Sequence, residues 1–147
     1  MQELHGGCHC GTITYVLNWP MEAGLAARRC ACSFCTRQGG RYASHPDAGL
    51  SVRVADRDSV SRYRFGTKTA DFWFCSNCGT FVFVTSEIDG HVFAVVNVNS
   101  LDDVSSCVDA DIETKNFDGE SSDQRLSRRV RNWIANVTMA NGLPQRA

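Results

Sequence analysis

Three thiols fall within six residues at Cys30, Cys32 and Cys35, in the order Cys-Ala-Cys-Ser-Phe-Cys. A single Cys-x-x-Cys fits either a redox dithiol or half of a metal site. Cys-x-Cys-x-x-Cys offers three sulfurs from one loop, and zinc takes thiolates in tetrahedral geometry at about 2.3 Å. Three local sulfurs leave the fourth position to something else, and such a position separates a catalytic zinc from a structural one. Four more cysteines come as pairs, Cys8-His9-Cys10 beside Gly7 and Gly11, and Cys75-Ser76-Asn77-Cys78 before Gly79. The two distant pairs together make one closed four-thiolate site, and the triplet makes an open one. Cys107 is left alone. A closed site on residues so far apart would count towards folding, on the order of 10 kcal/mol or more in small zinc modules.

The elements that must position these sulfurs read as mostly β. Residues 12–17 alternate and are rich in β-branched side chains, and 50–54 and 60–65 are short apolar-polar runs. Residues 81–84 and 92–96 flank Ile88-Asp89-Gly90, a hairpin signal. Residues 20–24 and 45–49 read as connections, and 100–121 as a looser stretch holding Asn116-Phe117-Asp118-Gly119. Leu126, Val130, Trp133, Ile134 and Val137 recur at helical spacing. They predict a helix over about 122–141, with Ser121 or Ser122 as cap and Gly142 beyond it.

Composition bounds the function classes. The 147 residues suit one domain, 1–147, with a core over about 6–118, and 43% apolar with 21% charged residues is ordinary for a globular chain. A formal net charge of -1 gives no electrostatic case for nucleic acid. No apolar run reaches the roughly 18 residues of a membrane span, and the start, Met1-Gln2-Glu3-Leu4-His5, lacks a signal peptide's regions. The expectation is a cytoplasmic protein, where eight cysteines point to metal before disulfides.

Gly7-Cys8-His9-Cys10-Gly11, then Cys30-x-Cys32-x-x-Cys35, then Phe74-Cys75-x-x-Cys78-Gly79-Thr80 resembles the glutathione-dependent formaldehyde-activating enzyme family. That family also includes the centromere-protein-V-like domains, and the likeness runs from about Gly6 to Asp118. It implies a mostly β domain of folded antiparallel sheets, of the β-tent kind, to which the spacing above adds the C-terminal helix. It further implies two zinc ions, a structural one on Cys8, Cys10, Cys75 and Cys78 and a second on Cys30, Cys32 and Cys35, the seat of glutathione-dependent chemistry. The partner implied is a small thiol or a glutathione adduct, with glutathione as co-substrate. The activity implied is that of a carbon-sulfur lyase or synthase resembling S-(hydroxymethyl)glutathione synthase. Family members often carry histidine where this chain has Ala31, which removes a possible hydrogen-bond donor beside the metal. Arg37 and Arg41 are local cations that follow the triplet, candidates to pair with glutathione carboxylates.

Plainer roles stand beside these. The triplet can be a second structural zinc completed by Cys107 or a histidine, in a binding module of the same fold without turnover. His5, His9, His45 and His91 read as surface or hydrogen-bonding residues. Trp73 and the aromatic stripe over 81–93 read as sheet core. Arg125, Arg128, Arg129 and Arg131 read as the wet basic face of a docked helix.

Overall fold

The computed structural model describes residues 1–103 and 107–139, with 107–113 by backbone alone, and these form eleven strands and two α-helices. One sheet contains β1 (Gln2–Gly7), β2 (Ile13–Trp19), β5 (Gly49–Val54) and β11 (Asn136–Met139), in the order β1-β2-β5-β11. The other contains β3 (Leu25–Cys30), β4 (Tyr42–Ala43), β6 (Val60–Tyr63), β7 (Asp71–Cys75), β8 (Phe81–Ile88), β9 (His91–Asn97) and β10 (Cys107–Lys115). Its order is β10-β3-β4-β9-β8-β7-β6. The helices are α1 (Ser33–Gln38) and α2 (Ser122–Asn132).

Period-two alternation divides the interior in two. Along β9, Ala94 and Val96 face one way and Phe93 and Val95 the other. The first face joins Ile13, Leu17, Leu50 and Val52 of the smaller sheet to Phe83 and Trp73 of the larger, filling the space between them. The second joins Tyr42, Phe81, Val84 and Trp133 to Cys35, on the side where the helices lie. Each large apolar side chain buried this way contributes roughly 1.5–3 kcal/mol. Strand β8 is buried on both faces over its first six residues, which is why 81–84 reads as an unbroken apolar run; buried Thr85 and Ser86 are hydrogen-bonded.

The mostly β expectation holds, but the sheets are mixed. β11 lies parallel to β5, and β10 parallel to β3, where wholly antiparallel sheets were expected. Parallel neighbours need a long connection, and the chain supplies one between β3 and β10 and another between β5 and β11, the latter including α2. Residues 107–115, within the stretch read as loose, are therefore a strand.

The helix expected over 122–141 is shorter. Ser121 caps it in a reciprocal capping box with Gln124, and it ends at Asn132, with Trp133 already extended. Ile134 then bridges Ala94, and Val137 belongs to β11. Trp133 and Ile134 are buried beyond the helix while Val130 is 46% exposed. The apolar spacing thus mixed a helix with the strand after it. Gly142 lies outside the described residues. Among the described residues no helix is long and apolar enough to cross a membrane.

Candidate metal centres and the adjoining cavity

Two hairpin turns, one from each sheet, hold the four-cysteine cluster. Cys8 and Cys10 lie between β1 and β2, and Cys75 and Cys78 at the β7–β8 turn. Gly79 has φ +79, a left-handed conformation that glycine adopts without strain, and its N–H closes the turn on the Cys75 carbonyl at 2.8 Å. The four sulfurs lie within 4.8 Å of one another. Cys8 Sγ is 3.7 Å from Cys10 Sγ, which is 3.6 Å from Cys75 Sγ. A tetrahedron with bonds of about 2.3 Å has edges of about 3.8 Å, so the spacing fits a zinc ion.

Both turns end in Cys-Gly-Thr, and each threonine reaches back to its cysteine. Thr12 Oγ1 is 3.2 Å from Cys10 Sγ, and Thr80 Oγ1 is 3.3 Å from Cys78 Sγ. Hydrogen bonds from these hydroxyls are the foremost cause holding Cys10 down to about 7 and Cys78 down to about 5. Such bonds favour the thiolates a metal requires. Thr80 Oγ1 also accepts from the His9 N–H at 3.1 Å, tying one turn to the other. The paired Cys-Gly-Thr was visible in the sequence, and its role was not read.

Cys30, Cys32 and Cys35 form the second cluster, again with sulfurs within 4.8 Å. Cys30 ends β3, Cys32 is the N-cap of α1, and Cys35 lies in its first turn. The Cys35 N–H donates to Cys32 Sγ at 3.3 Å, so the ligand set is also the helix cap. Gly39, with φ +64, closes the other end. The Cys35 side chain hydrogen-bonds Cys30 and holds its thiol down to about 6; that bond and burial push the Cys35 thiol up. The Tyr42 hydroxyl donates to Cys35 Sγ at 3.0 Å. Three mutually close sulfurs with these donors suit a divalent, thiophilic ion, and among the described residues no fourth histidine, cysteine or carboxylate joins them. The side chain of Cys107 lies outside the described residues.

The three sulfurs open on a cavity of about 250 Å³. Phe65, Phe72, Val84, Val95 and Trp133 supply apolar wall. Arg28, Arg29, Arg125, Arg128 and Arg129 also line it, against a single carboxylate among the described residues, Asp118. The arginines expected on a wet face of α2 therefore turn inward, and of the four only Arg131 does not line this space. Spacing of three and four residues puts Arg125, Arg128 and Arg129 on one helix face. That signal was present, but it was assigned to solvent.

Arg37 and Arg41 do not line the cavity. Arg37 sits exposed in the last turn of α1 and donates to the Ser33 carbonyl at 3.1 Å. Arg41 donates from Nε to Asn99 Oδ1 at 2.7 Å. They miss the cavity because α1 carries the chain away from the sulfurs as soon as Cys35 is placed, whereas Arg28 and Arg29, just before Cys30, line it. Of the histidines, none joins a cysteine cluster.

Residues 3–116 match the family described as glutathione-dependent formaldehyde-activating enzyme. The chain is also similar to the crystal structure of a Rhodobacter sphaeroides protein, at 29% identity and a TM-score of 0.53. That likeness covers 76% of this chain and all of the other.

Proposed function

The chain belongs to the glutathione-dependent formaldehyde-activating enzyme family, and from that premise we propose that it is a zinc-dependent carbon-sulfur lyase or synthase acting on a glutathione adduct. The observation that carries this reading is the placement of Cys30, Cys32 and Cys35 in the wall of a cavity. The four-cysteine cluster serves as the structural zinc site, pinning hairpins of two sheets.

A zinc ion on the triplet would lower the pKa of a thiol brought to it and polarise an aldehyde oxygen. The chain's own residues do the rest. Cys30, Cys32 and Cys35 hold the ion at the cavity wall. Tyr42 keeps its proton, since burial raises its pKa first and Cys35 raises it further, and so it stays a donor to Cys35 Sγ. It takes the place of the donor that Ala31 cannot supply. Phe65, Phe72 and Trp133 exclude water from the carbon that bonds to sulfur, which protects an aldehyde adduct from hydrolysis. In the forward direction a thiolate adds to the aldehyde carbon and the oxygen gains a proton; in reverse the carbon-sulfur bond breaks and that proton leaves.

The test is to titrate glutathione and S-methylglutathione against the two-zinc protein, watching metal-edge absorption for a new sulfur ligand. Adduct formation from glutathione and labelled aldehyde is then followed by NMR. Glutathione should alter the metal edge where S-methylglutathione does not, and Cys32→Ser should abolish turnover. Binding without change at the metal and without turnover would favour the binding module.

A further inference from the structure

We propose that α2 builds an anion subsite in the triplet cavity, where Arg28 and Arg128, supported by Arg125, bind a carboxylate of the thiol substrate. The chain would thereby select acidic thiols over neutral ones. The thiol's identity rests on the function proposed above; the subsite rests on the arginines. Arg28 lies within the residues matched to the family, 3–116, and Arg125 and Arg128 lie on α2 beyond them.

Among the described residues, Glu120 is the one carboxylate that pairs with Arg125 and Arg128. Arg28 and Arg128 line the same cavity wall. The Arg28 Nη2 donates to Ser44 Oγ at 3.0 Å, and among the described residues Arg28 has no carboxylate partner. Arg128 is oriented by an ion pair with Glu120 that engages its Nε and Nη2 and leaves Nη1 for a ligand. Its Nε and Nη2 reach Glu120 at 2.7 and 3.1 Å, and its guanidinium lies 3.7 Å over the Phe117 ring. Glu120 is shared with Arg125, whose Nη2 also donates to the Phe117 carbonyl. One glutamate thus orients two arginines and leaves the group cationic.

Deeper in the cavity a second feature points the same way. Arg129 and Trp133 are 7% and 6% exposed, and among the described residues Arg129 Nε and Trp133 Nε1 have no acceptor. Buried donors without acceptors cost stability, and a ligand oxygen would relieve that cost. Guanidinium forks match planar carboxylates in bidentate fashion, which a compact ammonium does not.

The experiment titrates glutathione, its diethyl ester and S-methylglutathione against the zinc-loaded chain by calorimetry. The protein is used as wild type, Arg28→Gln and Arg128→Gln, with zinc content and melting as folding controls. Wild type should bind glutathione roughly 10- to 100-fold tighter than the ester, the span of a charge-assisted hydrogen bond. Each variant should lose most of that preference while binding the ester unchanged. Glutarate should compete better than inorganic phosphate; the reverse would overturn the carboxylate assignment. Equal binding of acid and ester by wild type overturns the subsite even if the variants do not fold. So does an equal loss for both ligands in the variants. If instead S-methylglutathione binds like glutathione, both depend on the arginines, and glutathione itself leaves the metal edge unchanged, the subsite stands and the thiol chemistry fails.

Discussion

The Tyr42 hydroxyl donates to Cys35 Sγ across 3.0 Å in a buried setting, linking β4 to a sulfur of α1. The ring that reaches this sulfur also packs edge-on to Phe81, 6.1 Å between centroids. The contact therefore orients one candidate metal ligand from the floor of the second apolar cluster.

Tyr42→Phe keeps the ring and removes the donor. It should weaken metal at the triplet about tenfold or more, as outer hydrogen bonds to ligands commonly do, and leave the other site loaded. Competition with a graded chelator measures this; equal weakening at both sites, or at neither, refutes the role given to Tyr42.

Cys8→Ser and Cys78→Ser should each lose one zinc and most of the fold's stability, because that cluster joins hairpins of two sheets. Cys32→Ser should lose the other zinc and leave the domain folded, since its ligands span six residues. Metal content and thermal unfolding decide it. A Cys32→Ser protein as unstable as Cys8→Ser would make the triplet structural.

Hydrogen bonds from Arg128, ahead of those from Arg125, hold the Glu120 carboxyl below the usual carboxylate range. A carboxyl lowered on folding contributes stability that is present above its unfolded value, about 4.3, and lost as pH falls through the folded value. Glu120→Gln should therefore be less stable than wild type at pH 7, with the gap closing towards pH 3. Unfolding midpoints across that range test it, and a gap that does not depend on pH assigns the effect to packing.

Arg129 Nη1 donates to the Thr69 carbonyl, Thr69 Oγ1 and Ser86 Oγ at 3.3, 2.8 and 3.0 Å. Its guanidinium also lies 5.0 Å from the Trp133 ring centroid. Arg129→Ala should cost about 2–4 kcal/mol in denaturant unfolding, from lost charged hydrogen bonds and a cavity. A loss under about 0.5 kcal/mol, the range of ordinary surface changes, would show this arginine to be dispensable to packing.

Cysteine spacing made the two clusters legible, because ligands close in sequence have few ways to converge. Alternation made β2 and β5 legible, since each carries its own two-faced pattern, and apolar runs on either side of Ile88-Asp89-Gly90 did the same for β8 and β9. The cavity was not legible. It draws on β3, β9, the segment around Phe65 and α2, and only tertiary packing brings Arg28 beside Arg128. Arg37 looked closer to the sulfurs than Arg128 because chain distance ignores the direction in which α1 leaves Cys35. The helix end failed because Trp133 and Ile134 continue an apolar period after the backbone has become extended.

The seven clustered cysteines are complete by Cys78, whereas α2 and β11 begin only at Ser122 and Asn136. Chains emerge from the ribosome N-terminus first. A nascent chain therefore presents both sulfur clusters before the segment that walls in the triplet has been made. Metal delivery during synthesis meets Cys30, Cys32 and Cys35 from the side that α2 later occupies. Reloading a finished, stripped protein has to pass the arginines. Zinc acquisition should accordingly be easier for the growing chain than for the mature one.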